Sequence, residues 1–333
     1  MEKSKVVVVT TGGTIAMRYD PARKGVFPAV TGPQLVEAVP PLEDICSPVV
    51  EEFSNIPSPH MTPELMLKLA QKLDQILTRE EVAGAIVTHG TDTLEETAFS
   101  LDLICKAEKP ICITAAMRSG SDISPDGPHN LLCAVKTALS PEASGEGVLV
   151  VMNEEIHTAR DVTKTHSANP KTFASPGWGP IGYVDKDAVI FRRKSIRFPR
   201  IPAMEVISDV HLVKMAAGAD SLLLQCLAEK KVRGVVLEGL GRGNVPPAAL
   251  PGVEAILNNN IPLVLTTRVP SGRVLDVYGY PGGVKPLKEK GVILGGDLSG
   301  PKARILLMLV LSITNDLEAI ASYFNDPGAS NLA

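Results

Sequence analysis

The sequence predicts an α/β protein with a larger N-terminal domain, built on a doubly wound and mainly parallel sheet, and a smaller C-terminal α/β domain. Two observations support this prediction: short aliphatic runs recur along the chain, and segments with helical spacing of apolar residues lie between them. Unbroken aliphatic runs are typical of strands buried on both faces, and intervening helices are typical of parallel sheets. The predicted strands are residues 6–9, 85–87, 111–114, 148–152, 234–237 and 262–265.

Two segments have the spacing of apolar residues that an amphipathic helix needs. In residues 62–77, Thr62, Pro63 and Glu64 supply an N-cap hydroxyl, a proline at the first helical position and early negative charge. Residues 301–313 show similar apolar spacing. Both segments are predicted to be helices with one buried face.

The alternation of strands and helices stops between residues 173 and 208, which are rich in proline and glycine. We expect a linker with one or two hairpins there. A chain of 333 residues is long enough for two domains, each with its own core. The predicted division is an N-terminal catalytic α/β domain at 1–190, a linker at 191–210 and a smaller C-terminal α/β domain at 211–333.

The charge balance argues against nucleic acid and membrane as partners. The net charge is −4, and the longest apolar runs are far too short to span a bilayer. One basic cluster, with Arg197 at its centre, has no aromatic stacking platform beyond Phe191 and Phe198, so we interpret it as a solvated linker or a subunit contact. The cluster consists of Arg192, Arg193, Lys194, Arg197 and Arg200.

The five cysteines are an odd number, scattered among apolar neighbours. They are predicted to be small buried hydrophobes and not disulfides, which fits a reducing compartment. No signal peptide is visible, because Lys3 and Lys5 lead straight into a predicted strand. A cytoplasmic location is therefore expected, with a mature exported form left open.

Two turns that combine hydroxyl groups and glycine are the main candidates for a functional site. Residues 10–16 (TTGGTIA) and 88–93 (THGTDT) each follow a predicted strand and are expected to open onto a helix-like segment. Turns at the carboxyl ends of parallel strands meet at one edge of the sheet, where α/β proteins bind ligands. Two threonines beside an aspartate favour nucleophilic chemistry, although a structural turn stays open for residues 10–16.

A threonine hydroxyl attacks only after a base has taken its proton. A carboxylate alone is a weak base at neutral pH, so Asp92 needs a further partner. Lys164, in the segment after the strand at 148–152, is the candidate, since a desolvated lysine can act as a base. The alternative for Lys164 is an ordinary surface lysine.

Other chemistries lack their motifs. The six histidines do not have metal-ligand spacing and no cysteine pair has zinc spacing, so no metal site is predicted. No G-x-S-x-G elbow and no lysine-bearing P-loop occurs, and residues 10–16 lack the spacing of a dinucleotide-binding turn.

Further motifs follow the two turns in order along nearly the whole chain. They are Ala115-Ala116-Met117-Arg118, Asp126-Gly127-Pro128 with Asn130-Leu131, Met152-Asn153, Arg160 to His166, and Arg268-Val269-Pro270-Ser271-Gly272. With these motifs the chain resembles the bacterial-type L-asparaginase/glutaminase family. The resemblance implies an amidohydrolase that works through a covalent acyl-threonine, without cofactor or metal.

The resemblance also implies the catalytic roles. Thr14 matches the nucleophile, carried on a mobile lid (residues 14–27) over the site. Thr91, Asp92 and Lys164 match a second triad in which lysine and aspartate activate threonine. The sequence does not establish which threonine attacks at which step.

For the substrate, the resemblance implies a small amino-acid amide. Ser58 would bind its α-carboxylate and Asp92 its α-amino group, while backbone N–H groups of the two turns, at Gly13, Gly90 and Thr91, would stabilise the oxyanion. The family is typically a homotetramer of close dimers, so a homotetramer or homodimer is expected, with sites between subunits.

Several positions depart from the family. The family usually has a tyrosine further along the lid, near where Phe27 stands here, so Tyr19 is the candidate lid residue. The remaining departures are Pro59-His60 for a polar pair, Arg242 for an asparagine and Asp276 for a glutamate. Because the matching residues are catalytic and the differing ones contact substrate, we expect amidase chemistry with an open choice of amide.

Three hypotheses follow. The first is hydrolysis of L-asparagine to L-aspartate and ammonia, with glutamine as a weaker substrate. The second keeps the chemistry and changes the substrate to D-asparagine, glutamine or a modified asparagine. The third is a non-catalytic amino-acid-binding or regulatory protein on the same scaffold, or an amidotransferase subunit.

Overall fold

The computed structural model describes residues 3–325 and 327–328. The chain divides into two compact units after Arg197, which lies inside the predicted linker. Residues 192–209, all of them described, form neither helix nor strand. Each unit has its own sheet, mainly parallel in the first unit and parallel in the second, and the predicted α/β class with a larger and a smaller sheet is confirmed. Among the described residues, no helix is long and apolar enough to cross a bilayer.

The first unit contains twelve strands and five helices in its described part. The strands are β1 (Lys5–Gly12), β2 (Met17–Asp20), β3 (Gly25–Pro28), β4 (Ser47–Ile56), β5 (Val82–Thr88), β6 (Ile111–Thr114), β7 (Val148–Met152), β8 (Glu155–Thr158), β9 (Thr163–Lys164), β10 (Phe173–Ala174), β11 (Gly182–Asp185) and β12 (Ala188–Phe191). The helices are α1 (Gly32–Glu37), α2 (Pro41–Ile45), α3 (Pro63–Leu77), α4 (Leu94–Ile104) and α5 (Gly127–Leu139).

The main sheet has eight strands in the order β12-β11-β8-β7-β6-β5-β1-β4. Strand β1 pairs in parallel with both β4 and β5, so the strand order reverses beside β1. In a doubly wound sheet, a reversal of this kind opens a crevice at the carboxyl ends of the strands. The crevice therefore lies where β1 and β5 end, at the two threonine-bearing turns.

Strand β1 is buried on both faces, as its run of valines predicts. Val7 and Val8 are both at most 1% exposed, although their side chains point to opposite faces. Leu131 of α5 packs in the same core cluster as Val8 and Ile86. Burying side chains of this size stabilises the fold by about 1.5–3 kcal/mol each.

Helix α3 starts as its sequence predicts. Thr62 is the N-cap, and its hydroxyl accepts a hydrogen bond from the Leu65 N–H over 3.3 Å. Pro63 occupies the first helical position, where its missing N–H has no cost. The buried residues of the helix lie on one face: Met66, Leu67, Leu69, Ala70, Leu73, Ile76 and Leu77.

The predicted hairpin after residue 173 is present as β11 and β12, but it belongs to the main sheet. Strand β11 pairs antiparallel with β8, and β8 pairs antiparallel with β7. The segment therefore extends one edge of the sheet with antiparallel strands. Residues of the basic cluster are paired within this unit: Lys194 Nζ lies 2.7 Å from Glu146 Oε1 and Arg197 Nε lies 3.0 Å from Asp102 Oδ1.

The second unit has a smaller parallel sheet in the order β13-β14-β15-β16. Its strands are β13 (Val210–Lys214), β14 (Gly234–Gly239), β15 (Leu263–Thr267) and β16 (Ile293–Leu294). Its helices are α6 (Leu222–Lys230), α7 (Leu250–Asn258), α8 (Val284–Glu289), α9 (Gly300–Val310) and α10 (Leu317–Tyr323). The predicted helix at 301–313 is α9.

The prediction that all five cysteines are buried is wrong for one of them. The described cysteines are all free, and four are buried, but Cys226 on α6 is exposed. Helix α6 buries Leu224 and Ala228, which are four residues apart on one face. Residue 226 lies between them in sequence and therefore on the opposite face.

Candidate active site

The two threonine-bearing turns are in direct backbone contact. Thr10 of β1 is in register with Thr88, the last residue of β5, and β1 continues only two residues further, to Gly12. Gly13 has φ +81° and ψ −179°, a conformation that essentially only glycine adopts. A Cβ added to Gly13 would lie 2.3 Å from the Gly90 Cα. Only glycine at position 13 allows this close approach.

Hydrogen bonds hold the first turn in place. The Thr11 hydroxyl donates to the Thr88 carbonyl over 2.9 Å, and the Ser54 hydroxyl donates to the Thr11 carbonyl over 2.9 Å. The Gly13 N–H donates to the Ile56 carbonyl over 3.1 Å. The predicted oxyanion donor at Gly13 is therefore already engaged in this arrangement.

The second turn has free N–H donors. No acceptor for the Gly90 or Thr91 N–H is found among residues 3–325 and 327–328. Both residues are buried, and buried N–H groups are nearly always hydrogen-bonded in proteins. Donors of this kind are suited to a ligand oxygen.

Three of the predicted catalytic residues come together beside this turn. Lys164 Nζ donates to Thr91 Oγ1 over 2.9 Å and to Asp92 Oδ1 over 2.6 Å. We call the cluster of Ser58, Thr91, Asp92 and Lys164 the floor. The Thr91 side chain is buried, whereas the Asp92 side chain is 59% exposed and open to a ligand. The arrangement joins a hydroxyl, an amine and a carboxylate in one chain of hydrogen bonds.

Lys164 is held from both its main chain and its side chain. It lies on the two-residue strand β9, which pairs with β10. Its N–H donates to Glu95 Oε2 over 2.7 Å, and its side chain is only 18% exposed. This environment differs from that of an ordinary surface lysine, the alternative that the sequence left open.

Ser58 lies against the same turn and is 5% exposed. Its Oγ accepts a hydrogen bond from the Asp92 N–H over 3.1 Å, and its carbonyl accepts one from the Thr93 hydroxyl over 2.8 Å. Because the Ser58 oxygen acts as acceptor towards Asp92, its own proton is free to be donated. The hydroxyl is therefore able to donate a hydrogen bond to a ligand carboxylate.

His89 is fully buried and is hydrogen-bonded to the second turn. Its Nδ1 lies 2.7 Å from the Gly90 carbonyl, and its Nε2 lies 3.1 Å from the Thr97 hydroxyl. A carbonyl only accepts, so Nδ1 carries the proton and Nε2 accepts from Thr97. Burial lowers the pKa of His89 to about 4, so the ring is neutral at pH 7. Its role is to shape the turn.

The lid starts at Thr14, which opens a single 3-10 turn (Thr14–Ala16) before the hairpin of β2 and β3. The helix-like segment predicted after this turn is limited to these three residues. The hairpin closes because Asp20 Oδ1 accepts from the N–H groups of Ala22 and Arg23, which stabilises the turn. Within the part of the chain that is described, the Thr14 hydroxyl has no hydrogen-bond partner.

Within the described chain, the Tyr19 hydroxyl is not hydrogen-bonded to Thr14. The Tyr19 side chain is 51% exposed, and no hydrogen bond of its hydroxyl is found within residues 3–325 and 327–328. The Arg23 guanidinium lies 5.1 Å from the centre of the Phe27 ring, a cation–π contact. Both aromatic residues of the lid therefore lie outside the hydrogen bonds of the floor.

Two of the departures from the family lie in the second unit. Asp276 Oδ2 accepts from Lys288 Nζ over 2.8 Å, and this hydrogen bond lowers the pKa of Asp276. Arg242 lines a cavity of about 350 Å³ with Thr267, Arg273 and Tyr278. Asp276 is thus paired inside its own unit.

Sequence reasoning assigned no role to several residues that support the site. Glu95 holds the Lys164 main chain, Thr93 holds Ser58, and Thr11 joins β1 to β5. Glu95 and Thr93 lie within four residues of Thr91, so their proximity was visible in the sequence. Their partners are remote in sequence and could only be identified from the fold.

Comparison with known proteins agrees with this geometry. Residues 5–197 match the family described as Asparaginase, N-terminal, and residues 209–324 match the Glutaminase/Asparaginase C-terminal domain. An L-asparaginase of Bacillus licheniformis is 38% identical over 308 residues, which cover 92% of this chain and 95% of that protein.

Two further relatives cover the whole length. A probable periplasmic L-asparaginase of Haemophilus influenzae is 35% identical over 329 residues, with 96% of this chain and 92% of that protein covered. The crystal structure of a probable cytoplasmic L-asparaginase from Campylobacter jejuni is similar with a TM-score of 0.87 and 33% identity, covering 97% of this chain and 100% of that one. By both family matches and these relatives, the chain belongs to the asparaginase family.

Proposed function

We propose that this chain is an asparaginase-type amidohydrolase that converts L-asparagine to L-aspartate and ammonia, with glutamine as a weaker substrate. The contact of Lys164 Nζ with both Thr91 Oγ1 and Asp92 Oδ1 carries the proposal, because it places an amine where it can exchange a proton with a hydroxyl. The relatives named L-asparaginase support the same class of enzyme.

In the proposed first step, the Thr14 hydroxyl attacks the side-chain amide carbon. The proton of Thr14 passes to Lys164 in its base form through the Thr91 hydroxyl, along the 2.9 Å contact. The bond from the amide carbon to nitrogen then breaks, the departing nitrogen takes the proton back from Lys164 and leaves as ammonia, and an acyl-threonine remains. Water then hydrolyses the ester, which releases aspartate and restores Thr14. General base catalysis of this kind contributes about 10²–10⁴-fold to the rate.

The substrate is proposed to bind across the floor. The exposed Asp92 carboxylate pairs with the α-ammonium group, and the Ser58 hydroxyl donates a hydrogen bond to the α-carboxylate. The Gly90 and Thr91 N–H groups stabilise the oxyanion, which is worth about 3 kcal/mol per donor. Gly13 contributes by its close packing against Gly90.

The role of Thr14 as nucleophile is tested by intact-protein mass spectrometry after acid quenching during turnover. The wild-type protein is expected to gain the mass of one aspartyl group, mapped to the peptide that contains Thr14. Thr14→Ala is expected to lose both this adduct and ammonia release. Near-normal ammonia release from Thr14→Ala would reject the assignment.

The second candidate substrate is a related amide, namely D-asparagine, glutamine or a modified asparagine. It is favoured by the lid, where Phe27 is engaged by Arg23 and offers no hydroxyl to the site. Ammonia release measured across L- and D-asparagine and L- and D-glutamine decides between the two. Higher kcat/KM for any of the other amides than for L-asparagine would establish the second candidate, and binding without ammonia release would indicate a regulatory protein.

The proposed assembly is a homotetramer of close dimers, or a homodimer, as in the family. Large apolar side chains left exposed in the second unit support self-association: Leu222, Leu223, Val277 and Tyr280. Light scattering coupled to size exclusion measures the mass directly. A monomer at micromolar concentration would contradict the proposal.

The proposed location is the cytoplasm. The free cysteines favour a reducing compartment, and one solved relative is titled a probable cytoplasmic enzyme. Another relative is named a probable periplasmic L-asparaginase, so the location has to be measured for this chain. Cell fractionation with a periplasmic marker tests this location, and co-fractionation with that marker would contradict it.

A further inference from the structure

A cavity of about 170 Å³ lies at the base of the lid, inside the first unit. We call it the lid-base cavity. Its walls are mostly apolar, from Ile15, Val30, Leu35 and Leu131, and it shares no residue with the floor. Arg18 and Arg118 also line it.

The two arginines have no acidic partner. Among residues 3–325 and 327–328, neither Arg18 nor Arg118 forms an ion pair, and Arg118 Nη1 donates only to the Ser124 carbonyl, over 3.2 Å. Asp126, close in sequence to Arg118, accepts instead from the main-chain N–H groups of Met117 and Arg118. Both guanidinium groups are thus available to an anion.

Among the described residues that line the lid-base cavity there is no aspartate or glutamate. An amino acid would leave its ammonium group without a counter-charge there, and a neutral apolar ligand would leave the guanidinium groups unused. An apolar cavity of about 150 Å³ holds one benzene molecule, which gives the size of the ligand body. The lining therefore fits a single carboxylate on a compact apolar body.

We propose that the lid-base cavity is a binding site for a small aromatic or branched aliphatic monocarboxylate. Its carboxylate pairs with Arg18 and Arg118, and its apolar body packs against Ile15, Leu35 and Leu131. Ile15 and Arg18 belong to the lid, and Ile15 directly follows Thr14. A ligand in this cavity therefore connects the base of the lid to α1 and α5.

The proposal is tested by ¹⁹F NMR titration of the full-length protein with 4-fluorobenzoate. The neutral isostere 4-fluorobenzamide is the control for the carboxylate. Arg18→Gln and Arg118→Gln remove one guanidinium each, and Arg23→Gln is the matched control, a lid arginine that does not line the cavity. Thermal unfolding of each variant checks that the fold is retained.

We expect saturable binding of 4-fluorobenzoate, at least tenfold weaker binding of 4-fluorobenzamide, and at least tenfold weaker binding of the benzoate to Arg18→Gln and Arg118→Gln. Arg23→Gln should bind as the wild type does. Hydrogen exchange should slow within residues 15–18 and 127–131 when the ligand is bound.

Three results from the binding measurements themselves, and one from a competition experiment, would overturn the proposal. These are no saturable binding up to about 10 mM, equal affinity for benzoate and benzamide, or unchanged affinity in Arg18→Gln and Arg118→Gln. Complete displacement of the ligand by L-aspartate would also overturn it, since that would place the ligand on the floor. None of these measurements depends on enzymatic turnover.

Discussion

The floor and the lid differ in how firmly their hydroxyl groups are held. On the floor, Thr91 and Ser58 are buried and hydrogen-bonded to neighbours that are themselves fixed by the sheet and by Glu95. On the lid, the Thr14 hydroxyl and the half-exposed Tyr19 have no such partner within the described chain. Preorganised groups stabilise charge without reorganisation, whereas an attacking group has to move. The difference supports the proposed division of roles, in which the floor transfers the proton and the lid carries the attacking hydroxyl.

The largest loss of activity is expected for Lys164→Met, a substitution on the floor. It removes the amine that joins Thr91 to Asp92, so kcat should fall by about 10³-fold with the fold intact. Lys171→Met is the matched control, because Lys171 pairs with Glu155 at the surface and is 62% exposed. Ammonia release and circular dichroism provide the measurements. A fall in kcat of less than tenfold for Lys164→Met would contradict the proposed role of the floor in proton transfer.

Gly13→Ala tests the contact between the two turns. The added methyl group would lie 2.3 Å from the Gly90 Cα, and alanine does not readily adopt the backbone conformation of residue 13. The free energy of unfolding should therefore fall by about 3 kcal/mol. Gly272→Ala is the control, with φ +92° but open space around its Cβ, and should cost only about 1 kcal/mol. Urea unfolding measures both. Equal losses of unfolding free energy in Gly13→Ala and Gly272→Ala would show that Gly13 is not tightly packed against Gly90.

His89 makes a smaller, pH-dependent contribution to the stability of the floor. Its pKa in the folded protein, about 4, is below the ordinary 6.5, so the unfolded chain binds the proton first as the pH falls. The contribution of neutral His89 to the free energy of unfolding is complete above pH 6.5 and is lost as the pH falls towards 4. At pH 5 this loss is about 2 kcal/mol. Urea unfolding of wild type and His89→Gln at pH 7 and 5 measures it. The same decrease in both proteins would contradict this account.

Tyr19→Phe should have the smallest effect. The Tyr19 hydroxyl is on a half-exposed side chain without a hydrogen-bond partner in the described chain, so kcat/KM should change by less than about threefold. Steady-state ammonia release is the measurement. A loss of a hundredfold or more would show that the lid closes to bring Tyr19 to Thr14, and would assign Tyr19 the role of the usual lid tyrosine.

Local signals predicted much of the fold correctly, because they act within a few residues. The cap of α3 at Thr62 and the bounds of β6 and β7 follow from residue type and run length alone. The antiparallel extension by β11 and the exposure of Cys226 were not predicted. Both depend on which remote element covers which face, and a single sequence carries little information about that.

The candidate site shows the same limit. The two turns were visible because their composition is unusual. Lys164 was a candidate base from its place after a predicted strand, with an ordinary surface lysine as the alternative, and the family resemblance strengthened that role. Glu95 received no role, since its partner, the Lys164 N–H, lies 69 positions away. The engagement of the Gly13 N–H by Ile56 was equally beyond prediction, because β1 meets β4 only in the folded sheet.

The central claim is that Thr91 and Lys164 act as one proton-transfer unit, and a double-mutant cycle tests it most directly. The measurement is kcat/KM for ammonia release from L-asparagine with wild type, Thr91→Ala, Lys164→Met and the double variant. Residues that act as a unit are strongly non-additive, so the double variant should be no worse than Lys164→Met within about threefold. A double loss equal to the product of the two single losses would contradict the claim.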